Sequence, residues 1–145
     1  MILEKSSNCN IYQGRLEKGD DLIEEITKLV IDKNIKSGLL NGIGALSSAN
    51  IGYYDQSKHE YVSKEFIGEF EIVSLTGNIS YLEGVPFVHA HIALSRDDFS
   101  LIGGHLFPGN IVYAFEFAIK DLELNNTLVR DYDPLTGLKL WKNDS

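Results

Sequence analysis

Apolar residues recur at helical spacing near the N-terminus. Leu22, Ile26 and Leu29 are three or four positions apart, which places their side chains on one face of a helix. Asp21 and Glu24 have the spacing of a capping box, in which side chains satisfy backbone N–H groups of the first helical turn. The pattern predicts one main helix of about three turns.

The rest of the chain consists of short runs in which apolar and polar residues alternate, which is typical of strands. The predicted strands are NIYQGRL, GLLNGIGAL, SANIGYYD, YVSKEFI, EFEIVSLTGNIS, PFVHAHIAL, FSLIG, NIVYAFEFAI and LKLW. We therefore predict an α+β fold, a largely antiparallel sheet of seven or more strands with one main helix. Because one helix cannot cover both faces of such a sheet, either the sheet is curled or another subunit covers the second face.

The length of 145 residues predicts a single domain over residues 1–145. No apolar run approaches the roughly 20 residues that a membrane span requires. The N-terminus lacks the basic and apolar regions of a signal peptide, so we expect a cytoplasmic protein that is not bound to a membrane. Cys9 is the only cysteine, which excludes an intrachain disulfide and a cysteine-cluster zinc site.

The formal net charge of −8 bears on nucleic-acid binding. A non-specific DNA-binding protein normally carries a basic stripe, and no basic run is present in this sequence. The charge therefore disfavours nucleic acid as a partner, although an oligomer can still assemble a local basic patch.

Three of the four histidines lie between residues 86 and 105. His89 and His91 share one face of a predicted strand and are about 7 Å apart at Cα, so their rings can converge on one zinc ion. His105 follows Gly103 and Gly104 and returns from a predicted hairpin through SRDD, which makes it the third candidate ligand. Three nitrogen ligands leave a fourth position open for water or a small-molecule ligand. The alternative is that the imidazoles only form hydrogen bonds with carbonyl groups.

Two acidic residues are predicted to be internal. Glu71 shares a strand face with Leu75, and Glu116 lies in a similar apolar setting. We predict Glu71 as the catalytic carboxylate. It would act either as a general base or as the acceptor for the N–H of a metal-bound imidazole that points away from the metal. The alternative for each acid is a structural ion pair with Arg15 or Arg130.

The chain resembles the plants and prokaryotes conserved (PPC) domain family over nearly its full length. The resemblance rests on the blocks GRLEKGDDLIEEI, GIGALSSANIGYYD, EFEIVSLTGNIS, PFVHAHIALS, GGHL and DYDPLTGLKLW. It implies an α+β fold assembled as a homotrimer, in which neighbouring subunits bury the second face of the sheet. Plant members carry AT-hook segments that bind DNA, and no AT-hook is present here. Prokaryotic members resemble this chain at His89, His91 and His105, which implies a bound metal, with zinc expected.

These observations support three hypotheses. The first is a trimeric zinc-binding protein that acts as a metal-dependent hydrolase on an unidentified substrate. The second is a DNA-binding regulator, as prokaryotic members of the family are often labelled. The third is an oligomeric interaction module without catalysis.

Overall fold

The computed structural model describes residues 2–5 and 10–143 of the chain. Cys9 lies outside the described residues. The elements are β1 (Ile2–Lys5), β2 (Ile11–Leu16), α1 (Leu22–Asp32), β3 (Gly38–Asp55), β4 (Glu60–Leu82), β5 (Val85–Ser95), β6 (Leu101–Leu106), β7 (Ile111–Asp121), β8 (Leu128–Tyr132) and β9 (Lys139–Asn143). Within the described residues the fold is thus a sheet with one helix.

Helix α1 begins where the capping pattern predicts. The side chain of Asp21 accepts a hydrogen bond from the backbone N–H of Glu24 at 3.2 Å, which satisfies one free donor of the first turn. The apolar face of α1 is buried against β5 and β7. The predicted helix is therefore confirmed. The sequence predicts it well because the capping and apolar patterns depend only on neighbouring residues.

The nine strands of the described chain form one sheet in the order β1-β2-β7-β3-β6-β5-β4-β8-β9. All pairings are antiparallel except that of β4 with β8. Strand β3 also pairs with β4, so that β3, β6, β5 and β4 are hydrogen-bonded in a closed circuit. This circuit places β5 and β6 side by side at the centre of the molecule.

Strands β3 and β4 are longer than the sequence pattern indicates. Each contains two of the predicted runs, and the pairing between them continues through register shifts at Gly42/Gly44 and Leu46/Ser48. The predicted breaks at Ser47 and Gly68 were therefore wrong. A β-bulge changes which face a residue occupies without ending the strand, so the changed alternation resembles two short strands.

The core lies between α1 and the inner face of the sheet. It includes fully buried Leu40, Leu75, Leu94 and Phe115. No helix in the described part of the chain is long and apolar enough to cross a membrane.

Candidate metal centre

The hairpin of β5 and β6 brings the three histidines together. His91 lies directly opposite His105, and His89 is two residues before His91 on β5. The backbone of β6 also approaches β3 closely, because a Cβ atom at Gly104 would collide with the carbonyl oxygen of Gly52. The predicted hairpin is confirmed.

The ring nitrogens are spaced as ligands of one ion would be. Nε2 of His89 lies 3.2 Å from Nδ1 of His105, and one ligand atom from each of the three histidines lies within 4.8 Å of the others. Two nitrogens bound to one tetrahedral zinc at about 2.0–2.1 Å would be about 3.3–3.4 Å apart. The separation between His89 and His105 therefore fits zinc, and the side chain of His91 is exposed, which leaves it free to turn toward the same point.

Two of the imidazoles are half-buried, and their environment keeps them neutral. The pKa of His89 is lowered to about 4, mainly by burial and in addition by the charges of Arg130, His105 and His91. The pKa of His105 is likewise lowered to about 4, mainly by burial and in addition by the charges of His91 and Arg130. A histidine binds metal through an unprotonated nitrogen, and each of these neutral imidazoles has one such nitrogen at neutral pH, on Nδ1 or Nε2 according to its tautomer.

Arg130 on β8 contacts the cluster from the side of β4. Its Nη2 lies 3.3 Å from Nδ1 of His89 and donates to Oδ1 of Asn78 at 2.8 Å. Its Nε donates to Oγ of Ser80 at 2.9 Å, and its Nη1 donates to the carbonyl oxygen of Lys139 at 3.1 Å. Since arginine can only donate, Nδ1 of His89 acts as an acceptor in this arrangement.

A cavity of about 340 Å³ opens beside the cluster. The ring centroid of Tyr61 is 4.7 Å from that of His105, and the ring of Phe107 is 4.8 Å from it on another side. These contacts restrict the orientation of the His105 ring. The cavity wall combines aromatic, imidazole and guanidinium groups, from Tyr54, Tyr61, Phe87, His89, His105 and Arg130.

The structure does not bring Glu71 to the histidines. Glu71 is exposed and pairs with Ser95, five positions along β4 from the residue opposite His91, which is about 16 Å along a strand. The prediction of an internal acid was wrong because a register shift between Ile72 and Ser74 reverses the alternation on which it relied. Glu116 is also exposed, after a register shift in β7.

Sequence patterns did not identify Arg130 as part of this region. It was considered only as an ion-pair partner for the acids, whereas it contacts His89 and residues of β4. The parallel pairing of β8 with β4 places it there, and no local pattern encodes that pairing. His59 lies in the turn before β4, as the polar stretch around it predicts, and is not part of the histidine cluster.

Two solved structures are similar to this chain along almost its whole length. A metal-containing protein from Archaeoglobus fulgidus is 39% identical with a TM-score of 0.87, and the match covers 98% of this chain and 99% of that one. A proposed DNA-binding protein from Bacteroides thetaiotaomicron is 29% identical with a TM-score of 0.89, and the match covers 99% and 97% of the two chains.

Among curated proteins, the bifunctional protein GlmU of Synechococcus sp. (strain JA-3-3Ab) is 29% identical over 133 residues, which is 91% of this chain. The chain spans about a fifth of the length of the curated relatives that it matches. The family model of the Plants and Prokaryotes Conserved (PCC) domain, the family named above as PPC, matches residues 3–123. The chain therefore belongs to the Plants and Prokaryotes Conserved domain family.

Proposed function

We propose that this chain is a metal-binding protein in which His89, His91 and His105 hold one divalent ion, with zinc the expected metal. The observation that carries the proposal is the 3.2 Å separation of Nε2 of His89 and Nδ1 of His105, with the His91 ligand atom close by. Imidazole nitrogens suit zinc, copper and nickel better than calcium or magnesium. The similarity to the metal-containing protein from Archaeoglobus fulgidus adds support.

The proposed site suits catalysis better than a purely structural role. Three protein ligands leave one position of a tetrahedral ion free, whereas structural zinc sites normally have four. When bound, zinc supplies a Lewis acid that promotes hydrolysis. His89 and His105 form part of the cavity wall, so a small molecule in the cavity would lie beside two of the three residues that would hold the metal. Glu71 takes no part in this site, because it lies too far along β4.

The hydrolytic activity is tested with an ester substrate, p-nitrophenyl acetate, on zinc-loaded protein. We expect a zinc-dependent rate above that of free zinc at the same concentration. A variant with His89→Ala, His91→Ala and His105→Ala together should show no zinc-dependent rate. An equal rate in this variant would contradict catalysis at the cluster.

We also propose that three copies assemble into a homotrimer. Large apolar side chains on the strands are exposed in the single chain, among them Ile43 at 58% and Ile67 at 85% of their surface. One helix covers one face of the sheet, so these residues need another partner to be buried. Assembly of identical chains with closed symmetry provides such a partner, and the number three comes from the resemblance to the PPC family.

DNA binding is a second candidate function because the relative from Bacteroides thetaiotaomicron carries that proposed function in its name. A trimer of this chain would have a formal charge of about −24, three times −8, which opposes binding to a polyanion. The test is fluorescence anisotropy with random duplex DNA between about 50 and 200 mM salt. Binding that weakens steeply with salt would favour the DNA function, whereas no binding at low salt would exclude non-specific DNA binding.

A further inference from the structure

We propose that Arg130 binds the negatively charged group of a small organic anion in the cavity beside the histidines. This ligand would be the substrate or effector of the proposed metal site. In that respect the inference rests on the proposed function. The inference names a ligand class that the histidines alone do not specify.

The charge of Arg130 favours the binding of an anion. Its side chain is half-buried, and its guanidinium lies 5.6 Å from the ring centroids of both Phe87 and Trp141. Among the described residues, no carboxylate lies within 4.0 Å of this guanidinium to form an ion pair. A partly desolvated cation without an anion is unfavourable, so binding an anion would gain free energy at this position.

The other charges near the cavity leave Arg130 as its uncompensated cation. Lys139 is paired with Glu83 at 2.7 Å. Glu60, an acid of the cavity wall, is exposed, and its Oε1 lies 3.9 Å from Nζ of Lys58, which lies closer, at 3.6 Å, to Oδ2 of Asp55. Within the part of the chain that the structure describes, the cavity therefore favours a negatively charged occupant.

Arg130 also has a hydrogen-bond donor to offer to an anion. Arginine has five N–H groups. Nε donates to Ser80, one N–H of Nη1 donates to Lys139, and one of Nη2 donates to Asn78. One N–H therefore remains on Nη1, and the last on Nη2 faces His89.

Metal binding would release the contact with His89. A histidine that offers Nε2 to a metal carries its proton on Nδ1, and a protonated Nδ1 cannot accept from Nη2 of Arg130. The N–H of Nη2 still points at the His89 ring, so the remaining N–H of Nη1 is the donor that an anion can reach. A hydrogen bond from this charged group to an anion is about twice as strong as one between neutral groups.

The shape and lining of the cavity also suit a small organic anion. Its volume of about 340 Å³ is within the range of small-molecule sites. The rings of Tyr54, Tyr61 and Phe87 line it, so it offers apolar surface to the body of a ligand and Arg130 to its charged end. A small aromatic acid is a suitable probe for both features.

The test compares three probes of similar size by isothermal titration calorimetry: benzoate, phenyl phosphate and the neutral benzamide. We expect benzoate or phenyl phosphate to bind zinc-loaded protein at least about tenfold more tightly than benzamide. The tighter of the two acids identifies the anionic group as carboxylate or phosphate. Equal affinity for benzoate, phenyl phosphate and benzamide, or no binding of either acid up to about 10 mM, would overturn the proposal.

Matched variants locate the effect. Arg130→Gln should abolish the preference for the acids, whereas Arg15→Gln should keep it, because Arg15 carries the same charge on β2 and pairs with Glu17. A preference that survives Arg130→Gln would overturn the assignment. If Arg130→Gln fails to fold, the comparison of probes on the wild-type protein still decides whether the cavity selects anions.

Zinc content of the same samples separates this inference from the metal proposal. We expect Arg130→Gln to retain zinc and lose the acid preference. Anion selection without any bound zinc would refute the metal proposal and leave Arg130 as an anion site. Bound zinc without a preference for the acids would refute only the proposed role of Arg130 and leave the metal proposal standing.

Discussion

Nε2 of His89 lies 3.2 Å from Nδ1 of His105, although the two residues are sixteen positions apart in the sequence. This separation is produced by the pairing of β5 with β6, in which His91 faces His105. A one-residue change of register would move His105 to the opposite face. The metal proposal therefore depends on the structure of one hairpin.

The pH dependence of stability follows from the lowered pKa values of His89 and His105. Each is about 4 in the folded, metal-free protein, against an ordinary value of 6.5. Between these values the unfolded chain binds more protons, so the free energy of unfolding should rise as pH increases from about 4 to 6.5 and then level off. Thermal melts across this range measure the rise. A variant with His89→Ala and His105→Ala should show a smaller increase of stability with pH. An increase equal to that of the wild type would contradict its attribution to these two histidines.

Gly104→Ala should disrupt the placement of His105. The added methyl group would collide with the carbonyl oxygen of Gly52, and such overpacking costs about 1–3 kcal/mol. We expect a lower free energy of unfolding by denaturant and a lower zinc affinity. Gly84→Ala is the control, since it strains a turn with φ of +84° but meets no atom within 4 Å. Gly84→Ala should lose stability and keep its zinc affinity. A similar loss of zinc affinity in both variants would contradict a specific effect of Gly104 on the placement of His105.

Tyr61 should act through the orientation of the His105 ring, which it contacts at 4.7 Å between centroids. Tyr61→Ala removes this contact and should weaken zinc binding, by less than the roughly 10–100-fold that follows loss of a hydrogen-bonded partner of a metal ligand, because Tyr61 only packs against the ring. Tyr61→Phe keeps the ring and should retain most of the affinity. Competition with a zinc-sensitive dye measures both variants. Equal affinity of Tyr61→Ala and wild type would show that the contact does not position the ligand.

The proposed homotrimer has a simple mass test. Light scattering coupled to size-exclusion chromatography should give about 49 kDa, three times the 16.2 kDa chain. The physical reason is burial of the exposed apolar side chains between subunits. A mass of one chain at micromolar concentration would contradict the proposal.

The parts of this fold that sequence predicts are those that depend on neighbouring residues. The capping pair of Asp21 and Glu24 locates the start of α1, and the spacing of His89 and His91 places both on one strand face. His105 could be added because the hairpin that returns it is short. These features need no knowledge of distant contacts.

The errors have a different physical origin. Glu71 was predicted to be internal because alternation was extended across a β-bulge, where one extra residue reverses the faces. The position of Arg130 depends on the pairing of β8 with β4, between segments almost fifty residues apart. Bulges and long-range pairings are set by the packing of the whole sheet.

The most direct test of the central claim is the zinc content of untagged protein after zinc is offered and the excess is removed. The account predicts close to one zinc per chain for the wild type and for His59→Asn, which alters the histidine outside the cluster. It predicts almost none when His89, His91 and His105 are all changed to alanine. Folded wild-type protein without zinc, or a triple variant that binds as much as the wild type, would contradict it.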